Sequence, residues 1–193
     1  YDQDNTVVKE IFFVNDTVSN KLNGSYTSYY LSGIKKSEGY YRSNKASGDW
    51  TYYFENGKIR QTGSFLHGRT VGIWSDYFEN GNLRSEGILS NGKKGGEWSY
   101  YYEAGSLKSR GQYDNDVRVG TWYYYYEGGG LKAQTEFESG SGTYKEFYVS
   151  GALKMHGLNK LGKSDSLWTY YFESGEKMAE GYYKEGLKTG PWK

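Results

Sequence analysis

The sequence predicts an all-β protein: an elongated, single-layer antiparallel β-meander of about seven tandem β-hairpin repeats of 24 residues. Three observations predict this fold. Glycines recur at a fixed spacing, aromatic residues occupy fixed positions between those glycines, and each unit contains a turn sequence typical of a β-hairpin. No stretch of useful length shows the periodicity of an amphipathic helix.

The composition fits a thin β-fold better than a disordered chain. The 193 residues include 28 glycines, 23 tyrosines, 8 phenylalanines and 6 tryptophans, and the mean hydropathy is −0.89. Disordered chains are poor in aromatic residues, whereas this chain is rich in them. Large rings that cover neighbouring backbone can supply the buried area that scarce aliphatic residues do not.

Charge and cysteine content exclude several classes of function. The net charge is +1, from 24 basic and 23 acidic residues, so we expect no nucleic-acid partner. The chain has no cysteine, which excludes disulfides and thiolate metal sites. No run is long and apolar enough to be a transmembrane segment. A start at Tyr1 rather than methionine favours export to the periplasm or cell surface, with a cytoplasmic location as the alternative.

The repeat is anchored on a glycine that follows each aromatic-rich run. The anchors are separated by 24, 24, 24, 24, 22 and 24 residues and are Gly33, Gly57, Gly81, Gly105, Gly129, Gly151 and Gly175. A second glycine lies nine residues before the anchor, and in the last of these copies Ser166 replaces it. Two residues after this second position comes an aromatic residue, and every tryptophan of the protein occupies that place.

The sequence Glu55-Asn56-Gly57-Lys58 predicts a two-residue type I′ turn. Because such a turn fixes the register of its strands, Trp50 is expected to face Gly63 and to cover the exposed backbone of that glycine. We expect the same structural role at the equivalent positions, which together are Trp50, Gly63, Trp74, Gly87, Trp98, Gly111, Trp122 and Trp168.

The same register places Tyr53 beside Arg60, on the face opposite the tryptophans. Seven aromatic residues at the position of Tyr53 then face a residue that is cationic in six copies, with Met178 as the exception. Each such pair could add about 0.5–1 kcal/mol at an exposed site. The candidate interaction face is therefore a tyrosine–cation ladder that includes Tyr53, Arg60, Tyr77, Arg84, Tyr101, Lys108, Tyr125 and Lys132.

Two segments depart from the repeat. Residues 1–23 do not match it and are expected to form one or more N-terminal capping strands, with Val7–Val14 as a strand, whereas residues 24–193 form the repeat array. The copy around Gly151 is two residues shorter and has no tryptophan. We interpret this difference as repeat drift rather than as a bend or a partner site.

Nothing in the sequence indicates an enzyme, a cofactor or a metal site. The two histidines, His67 and His156, have no repeated partner, which favours surface positions over catalysis. A glutamate recurs at the turn entrance in five copies, so it is expected to serve each repeat rather than to be a catalytic acid. The periodic glycines are followed by no helix, unlike those of phosphate-binding loops.

The unit resembles the MORN repeat (membrane occupation and recognition nexus), and more closely its bacterial variant, whose members are often labelled antitoxin-like. The resemblance rests on Tyr-Phe-Glu-Asn-Gly at residues 53–57 and on the Gly-x-Trp that opens each unit. A related sequence recurs at 77–81, followed by Leu-Arg-Ser-Glu-Gly at 83–87. It covers residues 24–193 and implies a hairpin array that acts as a scaffold or binding module.

The sequence therefore favours a non-enzymatic repeat scaffold that binds another protein, as a subunit of a bacterial cell-envelope assembly. One alternative is a glycan- or cell-wall-binding module that uses exposed aromatic residues. Choline-binding repeats are also aromatic hairpins, but they carry Gly-Trp where this chain has Gly39-Tyr40 and Gly63-Ser64. A second alternative is an antitoxin-like protein that neutralises a partner toxin.

Overall fold

The computed structural model describes residues 10–12, 21–138 and 141–193, with side chains from residue 21 onward. The described residues form an antiparallel β-meander, in which neighbours in the sheet are also neighbours in the chain, and they include no helix. The chain divides into two compact units, residues 1–96 and 97–193. The predicted all-β meander of tandem hairpins is confirmed.

The first unit contains the strands β1 (Glu10–Phe12), β2 (Gly24–Tyr29), β3 (Lys35–Arg42), β4 (Lys45–Tyr53), β5 (Ile59–Leu66), β6 (Arg69–Tyr77) and β7 (Leu83–Ser90). Strand β8 (Lys93–Tyr101) contains the boundary between the units. The second unit continues with β9 (Leu107–Asp114), β10 (Val117–Tyr125), β11 (Leu131–Phe137), β12 (Ser141–Phe147), β13 (Leu153–Lys160), β14 (Lys163–Tyr171), β15 (Lys177–Lys184) and β16 (Leu187–Thr189).

The segment predicted to cap the array contributes strand β1, which pairs antiparallel with β2. The other residues of the predicted strand Val7–Val14 lie outside the described part of the chain. Beyond that segment, the described hairpins begin at Gly24, where the sequence places the start of the array.

The hairpin turn at Glu55-Asn56-Gly57 has three residues rather than the predicted two. The Phe54 N–H donates to the Lys58 carbonyl at 2.8 Å, and the Gly57 N–H donates to the Phe54 carbonyl at 2.9 Å. Gly57 lies in the left-handed region, with φ of +82°. A type I turn followed by a left-handed glycine is a common three-residue hairpin loop, so the predicted type I′ turn is wrong here.

Backbone geometry typical of type I′ turns occurs instead at the other end of the hairpins, in the links between repeats. Ser43 and Asn44 both have positive φ, 49° and 64°, between the paired residues Arg42 and Lys45. Two consecutive residues with positive φ are what a type I′ turn requires. The same geometry recurs at residues 67–68, 91–92, 115–116, 161–162 and 185–186.

A one-residue bulge next to the three-residue turn restores the predicted register beyond it. Tyr53 pairs with Ile59, whereas Tyr52 pairs with Gln61, so Arg60 is the extra residue. The predicted pairing of Tyr53 with Arg60 is therefore wrong. The extra residue is cationic in most described copies of this bulge, namely at Lys36, Arg60, Arg84, Lys132 and Lys154, and is apolar at Met178.

Five tryptophans cover strand glycines, and each of the five covers the glycine of the preceding repeat. Trp50 and Gly63 are paired across the strands, as the sequence predicts. The ring that lies over Gly63 is nevertheless that of Trp74, because a Cβ built on Gly63 would lie 2.1 Å from this indole. Trp50 lies in the same way over Gly39. The other described pairs are Gly111 with Trp122, Gly157 with Trp168, and Gly181 with Trp192.

A two-residue bulge brings each tryptophan over its glycine. Between β3 and β4 the pairing passes from Tyr40–Ser47 to Glu38–Thr51, which gives β4 two extra residues. Gly48, inside this bulge, has φ of +67°, a conformation that costs most other residues about 1–2 kcal/mol. The equivalent residues also have positive φ: Gly72, Gly96, Gly120, Ser166 and Gly190.

The shorter copy lacks this two-residue bulge. Thr135 pairs with Tyr144, and Glu138 bridges Ser141 in the same register. The described pairs of β11 and β12 therefore show no bulge. Thr135 occupies the position of the strand glycine, and Tyr144 occupies the position of the tryptophan. The strand glycine is therefore absent from the repeat that precedes the missing tryptophan, which agrees with a steric role for this glycine.

Side-chain hydrogen bonds join successive repeats. The Tyr30 hydroxyl donates to the Tyr53 carbonyl at 2.6 Å, and the indole N–H of Trp122 donates to the Gln112 carbonyl at 3.1 Å. Equivalent tyrosine-to-carbonyl bonds run from Tyr102 to Tyr125, from Tyr126 to Phe147, and from Tyr148 to Tyr171. In these four places a repeat is therefore tied to the next by a tyrosine side chain as well as by the strand ladder.

The substitution Gly63→Ala is expected to destabilise the protein. Its Cβ would lie 2.1 Å from the Trp74 ring, and overpacking of this kind costs about 1–3 kcal/mol. Gly95→Ala is the control, because a Cβ there meets nothing within 4 Å and the φ of Gly95 is not positive. Urea unfolding followed by tryptophan fluorescence should give a lower midpoint for Gly63→Ala than for Gly95→Ala; equal midpoints would contradict the steric role.

The substitution Ser166→Gly is expected to stabilise the protein by about 0.5–1 kcal/mol. Ser166 has φ of +61° where other copies have glycine, and the relief of strain exceeds the entropy that glycine adds to the unfolded chain. The reciprocal change Gly72→Ser, at φ of +70° in open space, should destabilise by a similar amount. Thermal unfolding of both variants checks the signs, and two shifts of the same sign would refute the explanation.

Candidate interaction surfaces

The face that carries the tryptophan rings, here called the tryptophan face, holds the core of the first unit. Trp50 and Trp74 are only 4% and 5% exposed. Their rings belong to a layer of neighbouring aromatic side chains with centroids 5.1–6.0 Å apart: Tyr26, Tyr41, Trp50, Tyr52, Phe65 and Trp74. The tryptophans of this unit are therefore structural rather than exposed binding groups.

The aromatic layer of the second unit has two parts. One contains Trp98, Tyr100, Tyr113, Trp122 and Tyr124. The other contains Tyr144, Trp168, Tyr170, Tyr183 and Trp192. Within the described residues, no ring contact joins the first part to the second across the space between Tyr124 and Tyr144. The interruption coincides with the shorter copy.

The cations predicted for the opposite face lie over rings of the tryptophan face. Arg60 lies 5.8 Å from the centroid of Tyr52, and Lys108 lies 5.5 Å from that of Tyr102. Lys132 lies 5.7 Å from the centroid of Tyr126 rather than beside the predicted Tyr125. The bulge explains the difference, because an extra residue reverses the side-chain alternation that the two-residue turn implied.

The eight residues predicted as one interaction face therefore do not share a face. Tyr53 lies on the face opposite the tryptophans, and by strand alternation so do Tyr77, Tyr101 and Tyr125. The cations lie on the tryptophan face: Arg60, Lys108 and Lys132 over rings, and Arg84 with its Nη2 3.6 Å from Asp76 Oδ1. The predicted tyrosine–cation ladder is wrong in its partners.

On the opposite face, Tyr53 is part of a small polar cluster. Its hydroxyl donates to Glu38, and Lys35 bonds Glu38 at 2.7 Å while lying 5.6 Å from the Tyr53 ring centroid. The hydrogen bond from Lys35 and then that from Tyr53 hold the pKa of Glu38 below its usual value. Burial, followed by the bond to Glu38, raises the pKa of Tyr53 to about 12.

The two histidines have structural surroundings. His156 Nε2 lies 3.1 Å from the Tyr171 hydroxyl, and the two rings stack with centroids 5.8 Å apart. His156 lies beside Tyr171 as Glu38 lies beside Tyr53. The two residues therefore occupy the same strand position in two different repeats. His67 is the exposed first residue of a link turn, with φ of +52°. In the described part of the chain, no three His, Cys, Asp or Glu side chains cluster where they could hold a metal ion.

A groove lies on the tryptophan face of the second unit, where the aromatic layer is interrupted. Its volume is about 510 Å³. The groove is lined by tyrosines, buried small residues and cations. They include Tyr102, Lys108, Arg118, Tyr124, Lys132, Ala133, Thr135 and Tyr144. Burial and then the hydrogen bond to Glu146 raise the pKa of Tyr144 above its usual value. The sequence contained the signal for this groove, which is the shorter copy.

Alkaline pH is expected to remove the contribution of Tyr53 to stability. The pKa of Tyr53 is about 12 in the folded chain against a usual value of 10, so its contribution is complete below pH 10 and is lost as the pH rises towards 12. Urea unfolding at several pH values in this window should show a smaller decline for Tyr53→Phe than for the wild type. Identical declines would contradict this role.

A comparison with known families finds the MORN repeat variant in six places, at residues 22–43, 46–67, 70–91, 94–115, 118–139 and 165–185. The first five matches each contain a three-residue turn. The first four end at the first residue of a link turn, and the unmatched stretch between 139 and 165 contains most of the shorter copy. MORN repeats are generally associated with protein and membrane interactions. No helix that could cross a bilayer occurs among the described residues.

No curated protein matches the sequence. One of the solved structures that match is titled "Crystal structure of GtfA/B complex bound to UDP and GlcNAc", at 13% identity and a TM-score of 0.26. The match covers 65% of this chain and 26% of that one, and it is too remote to support an argument. Because the family profile matches more than half of the chain in phase with its hairpins, the protein belongs to the MORN repeat variant family.

Proposed function

We propose that this protein is a non-enzymatic scaffold that binds another protein through its tryptophan face. The observation that carries the proposal is the position of the cations, which stand exposed above the tyrosine layer. Lys36 and Lys108 lie 5.7 and 5.5 Å from the centroids of Tyr30 and Tyr102. Protein interfaces are enriched in tyrosine, tryptophan and arginine, and apolar rings beside exposed charges suit a protein partner.

The repetition of polar clusters supports a scaffold rather than an enzyme. Glu38 with Tyr53 and His156 with Tyr171 are the same strand position in two repeats. A catalytic pair would be expected in one copy, with a pocket shaped around it. Here the tyrosine is kept and its partner changes from glutamate to histidine. This is better explained by the need to give the tyrosine hydroxyl a hydrogen-bond partner.

The hydrogen bonding of the tyrosines favours a protein over a glycan. Several tyrosine hydroxyls of this face already have partners within the chain: Tyr30, Tyr102, Tyr126, Tyr144 and Tyr148. A sugar presents many hydroxyls and needs donors and acceptors for them, whereas a protein side chain can use ring surface alone. A partner toxin, the antitoxin-like alternative, would be one kind of protein partner.

Site-specific photo-crosslinking tests both the binding of a protein and the face that binds it. A benzoylphenylalanine at Lys108, on the tryptophan face, is compared with one at Arg110, which lies 5.7 Å from the Tyr123 ring centroid on the opposite face. In extracts of the source organism, we expect a protein adduct from position 108 and none from 110. Adducts from position 110 alone would contradict the choice of face, and none from either would contradict the scaffold.

The same proposal includes membership of a bacterial cell-envelope assembly. Fractionation of source cells, with an antibody against this chain, tests it. Recovery from the periplasmic or surface fraction is the expected result, and recovery from the cytoplasm would contradict it without affecting the proposed binding of a protein.

A further inference from the structure

The groove of the second unit has the size of a ligand pocket. Its volume of about 510 Å³ falls within the range of ligand pockets, roughly 300–1,000 Å³. It lies between Tyr124 and Tyr144, where the aromatic layer has its interruption. A hollow of the first unit, near Tyr26 and Tyr52, measures about 320 Å³.

The shorter copy produces this groove. Its two missing residues are those of the bulge that elsewhere brings an indole over a strand glycine. Tyr144 stands in the tryptophan position and Thr135 in the glycine position, so the smaller ring leaves space unfilled. The buried floor at this point consists of Ala133 and Thr135, which are 4% and 7% exposed.

Three cations line the groove without carboxylate partners. Lys108 and Lys132 lie over tyrosine rings, and the Arg118 guanidinium lies 4.4 Å from the centroid of the Trp122 ring. Among the described residues, none of the three forms an ion pair, whereas the equivalent Lys154 bonds Glu146 at 2.8 Å. Glu136 is the one acidic residue among the lining residues, so the groove is positive on balance.

The floor of the groove offers ring surface more than free hydrogen-bonding groups. The Tyr102 hydroxyl donates to the Tyr125 carbonyl at 2.8 Å, and the Tyr144 hydroxyl donates to Glu146 at 2.9 Å. The Tyr124 hydroxyl accepts from Arg118 at 3.0 Å. A ligand that fits must therefore bring apolar groups to the floor and negative charge to the cations.

We propose that this groove binds an acidic segment of the partner protein, in which aspartate or glutamate alternates with apolar residues. The inference rests on the proposed function and names the partner chemistry at this site. An extended segment directs alternate side chains to opposite sides, so carboxylates can reach the cations while apolar side chains contact the rings. A chain segment can enter a concave site, whereas an anionic membrane would contact exposed cations all along the face.

The probe is a fluorescein-labelled peptide of eight residues, in which four glutamates alternate with two phenylalanines and two alanines. Binding to the full chain is measured by fluorescence anisotropy. We expect saturable binding, and about tenfold weaker binding for each of Lys108→Met and Lys132→Met, because each removes a charge-assisted contact. The matched control Arg110→Met, which removes a cation from the opposite face, should change the Kd by less than about twofold.

Two further probes separate the groups that bind. A peptide with glutamine in place of glutamate should bind at least about tenfold more weakly, and so should one with serine in place of its apolar residues. Equal binding of either peptide, or equal weakening by Arg110→Met and Lys132→Met, would overturn the proposal. Tight binding to vesicles of one part phosphatidylserine to three parts phosphatidylcholine, lost in Lys108→Met, with no peptide binding, would overturn it in favour of a membrane.

Failure of the acidic-segment proposal can be distinguished from failure of the scaffold proposal. A protein adduct at position 108 without any peptide binding would leave the scaffold standing and refute the acidic segment. Peptide binding that needs Lys108 and Lys132 supports the acidic segment, and an adduct whose crosslinked site maps to an acidic stretch of the partner would support both.

Discussion

The contact of each tryptophan with a glycine of the preceding repeat is the interaction on which the rest of this structure depends. The ring of Trp74 occupies the space that a side chain at Gly63 would need. It reaches that place because the bulge at Gly72 adds two residues before it. One contact thus explains two of the three periodic glycines. It also provides the core, since a sheet with few aliphatic residues buries little else.

A second irregularity decides what the tryptophan face presents. The bulge beside each three-residue turn moves one residue, usually a lysine or arginine, to the side of the tryptophans. Arg60 therefore contacts Tyr52 on that face instead of Tyr53 on the other. The tryptophan face then combines a structural aromatic layer with exposed charge. The shorter copy opens that layer at Tyr144, so the loss of one bulge turns a packing surface into a groove.

The sequence predicted the fold class and the pairing of Trp50 with Gly63, because both follow from a strict spacing of glycine and aromatic residues. It could also have predicted which ring covers which glycine. Each tryptophan lies eleven residues after a strand glycine, without exception. The alternative partner, thirteen residues after the tryptophan, is not always glycine, because Trp122 has Thr135 there. The position of the cations could not be predicted, because an Asn-Gly pair is compatible with both a two-residue and a three-residue turn.

The sequence by itself determined the hairpin array, its phase and its aromatic core, since these depend on local periodicity and on residue types with few alternative roles. The tertiary structure alone decided how each tryptophan reaches its glycine and which face each cation occupies. Both depend on bulges, and a bulge is a property of two paired strands rather than of one. An extra residue such as Arg60 leaves the spacing of glycines and aromatic residues in the sequence unchanged. Its charge nevertheless lies on the face opposite to the one that a two-residue turn would give.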